Sequence, residues 1–248
     1  MHWRSWAALY LVMLCVLALP AGLPGQTQSS SSSLPSTSST SAKHTKKNTA
    51  ATDSGLDAGG VVGAVYRNKS LGMSCKIPPG WVLRTAEMSA KEDSAGEIST
   101  PPGSQKNTEG TAQAQGEHGN ADEGRGRVLL AAFSRPPEAR GEDVNASILI
   151  AAEKVETYPG MTEPAQYFGP LTEIAKAQGF AVDEEPYEIE LGTKKLVRGD
   201  FHKDVGSRVM VQSTVAWLAK GYAISVTVIG GTEVQVEELI EGLEFTGK

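Results

Sequence analysis

Arg208 to Ile229 reads RVMVQSTVAWLAKGYAISVTVI, and this stretch decides the fold. Two arms rich in β-branched residues flank Lys220-Gly221, which fits a two-residue hairpin turn. That loop length sets Trp217 opposite Ile224 and Val215 opposite Val226. Val209, Val211, Val215 and Trp217 then share one face with Ile224, Val226 and Val228. The other face carries Gln212, Thr214, Ala216, Ser225 and Thr227. One face is strongly apolar and belongs to a core. The smaller, more polar face is either covered by a helix or open to a partner.

Beyond the hairpin, Gly230-Gly231 ends the strand and Thr232 with Gln235 forms a T-x-x-Q capping box. Val236, Leu239, Ile240 and Leu243 recur at i, i+3, i+4 and i+7, which predicts a helix over 232–243 laid on the sheet, with Phe245 closing the domain. On the other side, Asp204–Ser207 is a turn. Gly192-Thr193 fits a two-residue turn pairing Ile189 with Leu196 and Glu190 with Lys195, within extended structure that starts at Phe180. Tyr167, Phe168, Leu171, Ile174 and Ala175 predict a helical region over 162–178, stopped by Gly179 and divided at Gly169-Pro170. Val128–Phe133 and Ala146–Ala152 are apolar on both faces and so are read as central strands. Earlier still, Val61–Tyr66 and Leu71–Ile77 are read as two strands around an Asn68-Lys69-Ser70 turn. Pro78-Pro79 cannot continue a ladder, and Gly80 turns Trp81 back onto the sheet.

Three stretches do not fit a packed domain. Residues 1–25 carry Arg4, an apolar run from Ala7 to Leu19 and a Pro20–Gly25 breaker, the pattern of a secretory signal peptide. The run is shorter than the ~20 residues a membrane span needs. The expectation is a secreted or periplasmic protein with no transmembrane segment after signal removal; an uncleaved membrane anchor is the alternative. Residues 26–60 are Ser/Thr-rich and read as a disordered linker. Residues 89–126 are rich in Gly, Ser, Glu, Asn and Gln and read as a disordered insertion. Closing a loop of that length costs only about 2 kcal/mol beyond a short turn. A single domain over 61–248, interrupted at 89–126, is therefore expected.

The formal net charge is −6, from 23 Lys and Arg against 29 Asp and Glu. That balance lacks the basic footprint of a nucleic-acid binder. Lys43, Lys46 and Lys47 make only a weak patch. Cys15 leaves with the signal, so Cys75 remains without a disulfide partner, and its alternation with Leu71, Met73 and Ile77 places it in the core.

No convergent chemistry emerges. Asp183, Glu184, Glu185, Glu188 and Glu190 lack the spacing of a calcium loop and read as a solvated face. His202 is the one histidine of the core region, and Asp200 shares its strand face. A general base needs such an oriented partner. No Ser lies in a G-x-S-x-G context, and His118 has no companion at metal-ligand spacing. No catalytic, cofactor-binding or metal-ligating residue is assigned, and no cofactor is expected. Asn68-Lys69-Ser70 and Asn145-Ala146-Ser147 are glycosylation sequons in a eukaryotic host.

Tyr66-Arg67-Asn68, Leu71-Gly72-Met73-Ser74 and Ile77-Pro78-Pro79-Gly80-Trp81 resemble the opening of PsbP-like domains. Lys220-Gly221-Tyr222 and the helix reaching Leu243-Glu244-Phe245 resemble their ending. These domains share a fold with the Ran-binding Mog proteins and with small bacterial envelope proteins. The resemblance covers 61–88 and 127–246 and implies an α+β fold, an antiparallel β-sheet flanked by helices as an α/β/α sandwich. It carries no functional residues across. The leading expectation is an exported, non-catalytic binding or assembly module with a protein partner in the cell envelope. An extracytoplasmic enzyme, hydrolase-like and using His202 with Asp200, is the alternative, as is a metal-binding accessory protein.

Overall fold

The computed structural model describes residues 55–95 and 126–246, and side chains are described outside 91–95. The signal-like segment 1–25, most of the linker, His118 and the lysines near position 45 lie outside the described residues.

The elements run β1 (Gly60–Val62), β2 (Val65–Asn68), β3 (Met73–Lys76), β4 (Val82–Leu83), α1 (Thr85–Ala95), β5 (Arg127–Phe133) and β6 (Ser147–Lys154). After a short 3-10 turn at Val155–Thr157 come α2 (Pro164–Ala177), β7 (Ala181–Val182), β8 (Tyr187–Leu191), β9 (Lys194–Val205), β10 (Arg208–Ala219), β11 (Tyr222–Gly230), α3 (Glu233–Glu241) and β12 (Leu243–Phe245). They form a β-rich α+β fold of antiparallel sheets. The larger sheet has the order β4-β5-β6-β11-β10-β9-β7, with β8 also paired to β9; the smaller has the order β1-β2-β3-β12.

The β10–β11 hairpin has the register its turn dictates, with Trp217 opposite Ile224 and Val215 opposite Val226. Lys220 and Gly221 both adopt positive φ, 53° and 79°, as a type I′ turn requires. Val215, Trp217, Ile224, Val226 and Val228 enter one large core with Leu130, Ile148 and Ile150. Trp217 also meets Phe245 edge-to-face, with ring centroids 5.3 Å apart, worth about 1 kcal/mol beyond its burial. Val209 departs from the apolar-face reading. It precedes the first residue paired to β11 and is 43% exposed.

The polar face of the hairpin is covered. Tyr167, Phe168 and Leu171 of α2 pack with Ala216 and Ala223 on that side. Thr214 and Thr227 stay polar in the interior because their hydroxyls bond each other at 3.0 Å. On the opposite face, Val236, Leu239 and Ile240 of α3 join the large core. Tyr66, Met73, Cys75 and Ile77 of the small sheet enter the same core. Met88 of α1 packs on Val128, Ala131, Phe133 and Leu149.

Several local readings change. The strand expected over 61–66 is a hairpin, β1 to β2, because Gly63 turns the chain with φ 63°. These strands and β3 do not join the main sheet; β12 pairs with β3, Leu243 opposite Cys75, and makes a second one. Gly169-Pro170 does not divide α2, which runs unbroken with Pro170 inside it. Pro170 has no N–H to donate to the preceding turn. Burial of Tyr167 and Phe168 before it and Leu171, Ile174 and Ala175 after it holds the helix together. A Schellman ending follows, with Phe180 N–H bonded to Ala175 and Gly179 N–H to Lys176.

The extended run from Phe180 to Leu191 is two strands, β7 and β8, both laid along β9. Order also begins before the expected boundary, since Leu56 is buried in the core. The insertion expected from residue 89 instead continues α1 through Ala95; residues 96–125 lie outside the described residues. Both sequon asparagines are engaged. Asn68 is 1% exposed, with its amide bonded to Asp57 O at 2.6 Å, and Asn145 donates to Arg135 O at 3.1 Å.

Candidate functional site: an acidic groove beside the last helix

Alternation along β9 puts Arg198, Asp200 and His202 on the face that α3 covers. Their cross-strand partners on β10 are Val215, Ser213 and Val211. A groove of about 690 Å³ opens between this face and α3, with Arg198, Asp200 and His202 in its lining. One wall is the acidic side of α3, namely Glu233, Glu237, Glu238 and Glu241 with Val234. The other is β9 and β10 with Asp183, Glu184 and Tyr187 from the β7–β8 region.

Arg198 ties the two walls. Its Nη1 donates to Glu237 Oε2 at 3.0 Å, and its Nε donates to Asp200 Oδ1 at 2.9 Å. Burial opposes the arginine charge, but the bonds to Glu237 and Asp200 outweigh it and hold the guanidinium protonated more firmly than usual. Tyr187 donates its hydroxyl to Asp200 Oδ2 at 2.7 Å. Burial, then that bond to Asp200, pushes the Tyr187 hydroxyl well above the ordinary phenol range.

His202 and Asp200 share a face, as the alternation requires, but they do not pair with each other. Asp200 is occupied by Arg198 and Tyr187, and His202 Nδ1 contacts Asp183 Oδ1 instead. The acidic run divides as well. Asp183 and Glu184 line the groove, whereas Glu185, Glu188 and Glu190 do not. Glu190 faces Lys195 at 3.9 Å, both well exposed. Among the described residues, no three His, Cys, Asp or Glu side chains gather into a metal-holding group.

Seven carboxylates line the groove against one arginine and one histidine. Arg198 and His202 already have acidic partners within the fold. The remaining acids stand beside two exposed apolar side chains, Val209 and Val234, at 43% and 69% exposure. The site can hold positive charge and one or two apolar groups. Reading the strands alone missed the contribution of α3. The signal was present as Glu233, Glu237 and Glu241, four residues apart, on the side of the helix away from the core.

No family model matches the chain, nor does any curated protein sequence. Solved structures give distant likenesses. The Saccharomyces cerevisiae Ran-binding protein Mog1p matches 71% of this chain and 90% of its own, at 9% identity and a TM-score of 0.36. LpqN of Mycobacterium tuberculosis, involved in cell envelope biogenesis, matches 52% of this chain and 88% of its own, at 10% identity and a TM-score of 0.29. Pseudomonas aeruginosa PA94, a protein of unknown function, matches 42% of this chain and 75% of its own, at 17% identity and a TM-score of 0.31. At these values they carry no argument about function, and the groove has to be read from its own chemistry.

Proposed function

We propose that the chain is an exported, non-catalytic binding module. Its groove between α3 and β9 takes a cationic segment of a cell-envelope protein partner. The supporting observation is the charge on α3. Glu233, Glu237 and Glu241 stand at i, i+4 spacing, where like charges repel. Glu241 also sits in the last turn, where the helix dipole disfavours an acid, and no basic residue offsets it there. Arg198 relieves only Glu237. Such a local conflict in an otherwise consistent helix is characteristic of a surface kept for binding. Export and the envelope setting rest on residues 1–25. The fold is read as a PsbP-like α/β/α sandwich, supported by α2 and α3 packing on opposite faces of the larger sheet.

The test is a fluorescence titration of the full chain with a labelled peptide of alternating Lys and Val, and with its Glu-for-Lys counterpart. The expected result is saturable binding of the Lys peptide alone, weakening as salt screens it. Equal binding of both peptides, or of neither, contradicts the reading.

The Asp183–His202 contact favours a second reading, an extracytoplasmic hydrolase. Asp183 would fix Nδ1 and leave Nε2 as the basic nitrogen. His202→Ala would then abolish turnover of a substrate in the groove without lowering the melting temperature. Turnover indifferent to that change removes this reading.

A further inference from the structure

Away from the groove, on the α2 face of the larger sheet, one carboxyl group is buried without a cation. Glu153, next to last in β6, is 4% exposed. Its Oε2 accepts a short hydrogen bond from the Tyr158 hydroxyl, while its Oε1 has no partner. The Tyr167 hydroxyl of α2 is buried beside the same carboxyl and acts on it as a second donor, and the Tyr158 and Tyr167 rings meet edge-to-face at 5.4 Å.

Among the described residues, the surroundings offer no compensating charge. On β11, the neighbours on that face are Ala223 and Ser225. On the β5 side, Gly126 lies so close that an added Cβ would stand 3.0 Å from Glu153 Cγ, and the Arg127 guanidinium reaches the Leu56 carbonyl instead. Lys154 follows on the opposite side of the strand. Glu156, in the 3-10 turn, is exposed. Tyr158 and Tyr167 are therefore the titratable groups that face Glu153 among the described residues. An ionised carboxylate there would hold two tyrosine donors at most, where water offers several. A neutral carboxyl suits the site. Burial, against the smaller opposing effect of the two tyrosines, pushes its pKa up to about 7.

We propose that Glu153 is the pin of a pH-operated latch. Neutral, it holds the Tyr158 turn and the first turns of α2 on the sheet; ionised, it draws water in and releases them. The segment bridging these points is short, from Val155 to Tyr167, and the Tyr158–Glu153 bond fastens it near its start. Local opening of this kind separates a weakly held unit from a persistent sheet.

Amide exchange of the full chain at pH 5 and pH 8, corrected for intrinsic rates, tests the latch. Protection of residues 155–168 is expected to fall on the order of 50-fold across that range, and to stay below that of β10 and β11 at both pH values. In Glu153→Gln, neutral at both pH values, the fall is expected to vanish. Tyr158→Phe removes a donor that favours the ionised form, so its opening midpoint is expected to move to higher pH. Wild-type protection that ignores pH overturns the proposal. So does an equal fall in Glu153→Gln, or, should that variant not fold, an unmoved midpoint in Tyr158→Phe.

Discussion

Arg198 Nη1 on β9 lies 3.0 Å from Glu237 Oε2 on α3, so one guanidinium fastens the helix to the sheet at the floor of the groove. The Arg198 side chain is 13% exposed, and Asp200 bonds it from the same strand. Arg198→Leu takes the cation from both carboxylates, leaving Asp200 with Tyr187 alone, and is expected to destabilise the fold by about 2 kcal/mol, less than a fully buried pair because Glu237 is half exposed. Arg198→Lys keeps the charge but loses the fork, at about 1 kcal/mol. Urea unfolding measures both. An Arg198→Leu variant as stable as wild type would show that the bridge does not fasten α3.

Gly199, beside Arg198, is required by its neighbour. A Cβ there would stand 2.6 Å from Phe168 Cε1, a ring buried under α2. Gly199→Ala is expected to cost about 2 kcal/mol through overpacking. Phe168→Leu should absorb part of that cost, so the double variant is less destabilised than the sum of the singles. Strict additivity would place the clash elsewhere.

Global stability should also depend on Glu153. Its pKa is raised, from 4.5 in the unfolded chain to about 7 in the fold. The native state therefore binds more protons than the unfolded state between these values, and stability falls as pH rises through that window. The expected loss from pH 5 to pH 8 is about 2–3 kcal/mol, absent in Glu153→Gln. Chemical unfolding at the two pH values reads it directly, and a wild-type difference retained in Glu153→Gln contradicts it.

Cys75 has the reverse of a reactive environment. It is fully buried, and burial pushes its thiol up to about 12. Iodoacetamide at pH 7.5 is expected to leave it unmodified in the native protein and to label it in urea. Rapid native labelling would mean that the small sheet opens.

The two-residue turns made the late hairpin and the β8–β9 pairing legible, down to Trp217 against Ile224 and Ile189 against Leu196. Turn length fixes register locally, so the residues alone are enough. The second sheet was hidden because β12 finds β3 across most of the chain, and nothing local marks that pairing. Pro170 misled because tertiary burial of α2 overrides a missing hydrogen bond. His202 was visible as a candidate, but its partner was not. Asp200 is nearer in sequence, whereas Asp183 arrives on β7's side through a strand pairing. The groove itself needs α3 beside β9, a relation set by packing rather than by spacing.

The central claim is that the acids of α3 are kept for a cationic partner at a cost to the helix. Glu238→Gln with Glu241→Gln tests it most directly; Glu233 stays, since the first turn favours an acid. The variant is expected to melt about 3 °C higher, from relieved repulsion and a better helix end. It should bind the alternating Lys-Val peptide about tenfold more weakly. A gain in stability with unchanged peptide affinity would contradict the account.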